Sequence, residues 1–124
     1  MARRLTPLSE EQWAELAARL DEARESGTDA TPADLRAATK HLLALLDQRA
    51  PGNSVEVRVP PFAAVQVIPG ARHTRGTPPA VVEMDPATWI ALATGRTTWG
   101  ETVAAGRVHA SGERSNLTPY LPLV

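Results

Sequence analysis

The chain has no cysteine, which excludes disulfides, thiolate metal sites and cysteine nucleophiles together and suits a reducing compartment. Lysine occurs once, at Lys40, among thirteen basic residues, and this arginine bias fits a GC-rich genome. Aromatic residues are scarce: Trp13, Phe62, Trp89, Trp99 and Tyr120. Any core must therefore be built mainly from Leu, Val and Ala. No apolar run approaches the ~18 residues a membrane-spanning helix needs, so no integral membrane segment is expected. The opening MARRLTPLSEEQ carries two arginines but no apolar stretch, so no secretory signal is expected there and the cytoplasm is the expected location.

One sign of charge does not dominate. Thirteen basic residues face fourteen acidic ones, for a net charge of −1. Neither half has the cationic excess that sequence-independent nucleic-acid binding requires, so no nucleic-acid partner is expected. What is present is length and apolar material: 124 residues, 43% of them hydrophobic, enough for a single domain over 1–124 with a real core.

Residues 9–50 read as a helical hairpin. Ser9 with Gln12 fits a capping box, and Trp13, Leu16, Ala17, Leu20 and Ala23 fall on one face before Gly27 ends the helix. The chain restarts with Thr31 as cap and Pro32 at the first helical position, and its second stripe runs from Leu35 to Leu46. From residue 54 the period changes to two. Val55, Val57 and Val59 alternate with Glu56 and Arg58, as in a strand with one buried and one wet face. Phe62–Ile68 and Ala80–Met84 read as further strands, joined by the loop 69–78, and an antiparallel meander is the simplest arrangement. Asp85 caps a helix to Ala93, Thr98 and Glu101 open a shorter one, and Arg107–Ser111 reads as a fourth strand. The apolar tail NLTPYLPLV is expected to dock, because left in solvent it would make a sticky patch. The order defines an α+β domain with helices on one sheet face.

Nothing in the chain spells out catalysis. His41, His73 and His109 occupy three different elements with no partner three or four positions on, so no metal site is expected. His41, beside the second apolar stripe, is expected at the surface or a boundary. The glycines form neither a phosphate loop nor a dinucleotide fingerprint, and no nucleophile elbow is present. Glu83 and Asp85 are close in sequence, but Asp85 is taken as a cap and Glu83 as the wet face of a strand. No enzyme activity and no cofactor are expected. The loop Arg72-His73-Thr74-Arg75-Gly76 is most simply a solvated tip. Alternatively, Arg72 and Arg75 contact an anionic group such as a lipid headgroup or a phosphate.

The stretch from Met84 to Val124 carries a further signal. A strand ends in Asp85, a helix ends in Gly95, and a second helix, a Gly-Arg-Val strand, a Ser-Gly turn and a final segment follow. With Trp89, Leu92, Trp99, Ala104, Gly106, Val108, Gly112 and Leu117 at their places, this is similar to the second half of the sterol carrier protein type two family, in its bacterial branch. The resemblance implies a sheet of five strands, where the residues themselves show four, and an apolar tunnel between sheet and helices. It further implies a fatty acid, a sterol-like molecule or another apolar ligand. The ligand-lining candidates are then Phe62, Trp89, Trp99, Val103, Leu117, Tyr120 and Leu121, with Arg72 or Arg75 near a polar end. Each apolar candidate reads equally well as plain core.

Energetics frame the alternatives. Burying a sixteen-carbon chain supplies on the order of 12 kcal/mol before costs. A dry cavity of ~300 Å³ costs about 7 kcal/mol, against a total stability of ~5–15 kcal/mol. Such a pocket is therefore expected to be either occupied or closed. A closed variant would be a regulatory or interaction module with a protein partner or a homodimer. Related domains appended to mycothiol-dependent isomerases imply a third reading, an accessory to a thiol-cofactor-dependent enzyme.

Overall fold

Each helix begins at a side chain that satisfies its free backbone donors. In α1 (Glu10–Glu25) Ser9 and Gln12 form the reciprocal capping box, with Glu10 and Glu11 in the first turn. In α2 (Pro32–Arg49) the Thr31 hydroxyl accepts from the Asp34 amide. Asp85 and Thr98 do the same for α3 (Pro86–Ala93) and α4 (Trp99–Ala104). The strands are β1 (Pro51–Val59), β2 (Ala63–Val67), β3 (Ala80–Met84) and β4 (Val108–Ser111), and a single 3-10 turn covers Thr118–Tyr120. The computed structural model describes residues 5–70, 80–112 and 115–124.

Among these residues the sheet has four strands in the order β2-β1-β3-β4. β1 pairs antiparallel with β2 and β3 with β4, but β1 and β3 run parallel, Val57 opposite Val82. This corrects the expected meander. The chain leaves β2 on one side of β1 and returns as β3 on the other, so the segment between them is a crossover and not a hairpin. Alternation identifies which face of a strand is buried, but says nothing about which strand lies beside it. Phe62 sits in the turn between β1 and β2, one residue outside the strand expected to begin there.

The sheet's inner face presents Val55, Val57 and Val59 from β1, Val67 from β2, Val82 and Met84 from β3, and Val108 from β4, all buried. α2 lies on this face with α3 packed beside it, and α1 packs on α2. α2 is thus surrounded by the sheet, α3 and α1. For this reason its buried positions, from Ala38 to Asp47, spread beyond a single stripe. The other sheet face is open and polar: Arg58 lies beside Glu83, and Glu83 beside His109. A bulge near the start of β1 brings the Ile68 backbone so close to Gly52 that a Cβ there would lie 2.2 Å from the Ile68 carbonyl oxygen.

Candidate functional site

The apolar layer between the sheet and α2/α3 is the candidate site. Trp89, on α3, is 0% exposed, and its indole N–H donates to the Thr39 carbonyl on α2 at 3.3 Å. That bond satisfies the only polar atom of the ring and ties the two helices together. The Thr39 hydroxyl beside it is buried without a hydrogen-bond partner. Asp85 sets the position of α3, accepting from the Thr88 amide at 3.1 Å and from the Thr88 hydroxyl at 2.6 Å. Burial pushes the Asp85 carboxyl up, but these and further backbone hydrogen bonds outweigh it and leave the group below its ordinary value.

One end of the layer is closed by the C-terminal tail. Leu117 and Leu123 are buried, and the Leu123 amide donates to the Ala93 carbonyl at the end of α3. Arg49, in the last turn of α2, donates to the carbonyls of Tyr120, Pro122 and Leu123. The tail is therefore docked, as its composition led one to expect. The role of Arg49 was not anticipated. The only sequence signal was a basic residue in the last turn of a helix, which is ordinary dipole complementation.

The ligand-lining candidates separate by depth and by end. Trp89 and Leu117 lie wholly inside the core. Trp99, Tyr120 and Leu121 are half-buried against it, and Val103 is 48% exposed. Tyr120 and Leu121 lie at the end where β1 begins, near Arg49, whereas Phe62 stands half-buried beyond the far end of β1. Arg72 and Arg75, the candidates for a polar end, fall outside the described residues, as does His73. A half-open cleft of about 330 Å³ lies between α3 and α4, lined by Thr88, Ala91, Thr97, Glu101, Thr102 and Arg107 among others. A shallower groove on the open sheet face runs past Arg58, Glu83 and His109. None of the ligand-lining candidates borders either one.

His41 is not at the surface. It is 5% exposed on α2, its ring stacked on Trp13 of α1 with centroids 4.5 Å apart, and its Nδ1 accepts from the Leu8 amide at 2.9 Å. The helical period placed it beside the apolar stripe, but α1 is what covers it. Among the described residues no group of three or more His, Asp or Glu side chains is placed to hold a metal ion. No helix among them is long and apolar enough to cross a membrane.

Four helices and, among the described residues, a mixed, mostly antiparallel four-stranded sheet define an α+β domain of sterol-carrier-like architecture. Residues 31–123 match the family described as bacterial SCP ortholog, and the chain belongs to that family. The match begins at the cap of α2 and runs into the tail, so α1 lies outside it. No curated protein matches the chain.

Proposed function

We propose that this protein binds a lipid or another apolar small molecule, without catalysis, between the sheet and the helices. Family membership carries this reading, because the matched residues run from α2 to the tail and so include the sheet, α2, α3 and the tail around the apolar layer. Phe62, Trp99, Val103, Tyr120 and Leu121 are the partly exposed apolar contacts of such a ligand, with Trp89 and Leu117 behind them. Arg72 or Arg75 would meet an anionic end. Trp89, Leu92 and Leu117 are buried within this layer, and on this reading the ligand takes its place beside or instead of such side chains. The tail is the piece whose displacement opens the layer at that end, and it is held there by Arg49 and by two backbone hydrogen bonds to the Ala93 carbonyl.

Complete burial of Trp89 and Leu117 favours a second reading, a closed interaction module whose partner is another protein or a second copy. Native mass spectrometry of freshly purified protein beside a denatured sample separates the two. A stoichiometric apolar adduct, lost on denaturation, is the expected result and identifies the ligand class. A clean apo mass, with no uptake of added fatty acid or sterol, overturns the binding reading.

A further inference from the structure

α1 lies outside the residues matched by the family, and the chain just before its first turn is tied to α2 by a hydrogen bond to His41. His41 is buried in α2, and its Nδ1 must be unprotonated to accept the Leu8 N–H. The ring also forms the floor on which Trp13 stacks. Leu5, Leu8 and Trp13 are partly buried against the core around it. We propose that His41 is a proton-operated latch, holding residues 5–8 and the first turn of α1 on α2 near neutral pH and releasing them on mild acidification.

The chemistry is direct. A proton on Nδ1 sets an N–H against the Leu8 N–H, two donors facing each other, and places a charge in a site taken from water. No carboxylate among the described residues is positioned to compensate. α3 and β2 carry no ionisable side chain, and Asp85, the cap of α3, is engaged by Thr88. On β1, Glu56 and Arg58 alternate onto the open face of the sheet. On α2 the positions three and four away are Ala37, Ala38, Ala44 and Leu45, with Arg36, Lys40 and Asp47 at other angles around the helix. α1 brings Glu10, Glu11 and Glu15, all exposed. Burial accordingly holds the imidazole below its ordinary value of 6.5.

The sign follows from linkage. The released arm lets His41 titrate near 6.5, while the latched arm holds it lower. The latch is therefore fully closed above pH 6.5, and the released population rises about tenfold per pH unit as pH falls from there towards the latched value.

The test is amide hydrogen exchange on the full chain at several pH values from about 7.5 to about 5, as protection factors corrected for intrinsic chemistry. Protection of Leu8 and the first amides of α1 should fall about tenfold per pH unit over part of that range, while Val57 and Val82 in the sheet stay protected. His41→Asn retains a side-chain acceptor but does not titrate, and should remove the pH dependence. Unchanged protection of the arm in the wild type, or the same fall in H41N, overturns the latch. Should H41N fail to fold, NMR of the wild type decides. The Leu8 amide shift and the His41 ring shifts are expected to share one midpoint below 6.5, and separate midpoints overturn the proposal.

Discussion

The guanidinium of Arg49 donates to the Pro122 carbonyl at 2.7 Å, joining the end of α2 to the end of the chain. The same side chain reaches the carbonyls of Tyr120 and Leu123, so one fork holds three carbonyls within four residues of the tail. Arg49→Ala should lower stability by about 1 kcal/mol in chemical denaturation and speed proteolysis of the tail. Arg49→Lys should recover little of this, because a point charge on a flexible stem cannot hold three carbonyls at once. Wild-type stability and tail protection in both variants would show that the apolar contacts of Leu117 and Leu123 suffice.

α1 is held chiefly by apolar contact. Leu16 is 1% exposed, whereas Arg19, which pairs with Asp34 at 3.1 Å, is largely exposed. Leu16→Ala should therefore cost about 2–4 kcal/mol, and Arg19→Ala far less. The pair Arg96–Asp21, which joins α1 to the chain beyond α3, belongs to the same weak class. Thermal unfolding in low and high salt checks the ranking, since a hairpin held by ion pairs would lose its midpoint as salt rises.

Thr39 is the one buried side-chain oxygen without a partner among the described residues. Replacing it with valine substitutes a methyl group of similar shape and removes the uncompensated hydroxyl. Thr39→Val should stabilise the fold by about 1 kcal/mol in urea titrations. A destabilised T39V would mean that the hydroxyl has a partner in solution, such as an ordered water.

Asp85→Ala removes the cap of α3 and should cost about 1 kcal/mol. Because the folded carboxyl lies below its ordinary value of 3.8, its contribution is present above that pH and is lost as pH falls through the folded value. The difference in stability between wild type and D85A should therefore shrink only in strong acid. A difference that shrinks between pH 7 and pH 5 would point instead to histidine.

Much of the local structure was written in short-range chemistry. Ser9 with Gln12, Thr31 before Pro32, Asp85 before Pro86 and Thr98 before Glu101 each satisfy donors only three residues away, so helix starts were legible at single positions. The core of β1 was legible from the alternation of Val55, Val57 and Val59 with Glu56 and Arg58, and β3 stands at the expected bounds Ala80–Met84. The family was recognisable from the rhythm of residues 84–124, where caps, glycines and buried Trp89 recur at characteristic spacing.

Contacts between distant segments were another matter. The parallel pairing of β1 with β3 depends on the path of the chain across the sheet, and no residue within either strand reports it. His41 became buried only because α1 folds over α2 and sets Trp13 on its ring. Arg49 became a clamp only because the tail passes the ends of α2 and α3. The sequence by itself determined where the helices start and which face of β1 is apolar, since caps and periodicity act over three or four residues. The tertiary structure alone decided strand order, the burial of His41 and the grip of Arg49 on the tail, because each depends on groups that meet only after the chain has closed loops of tens of residues.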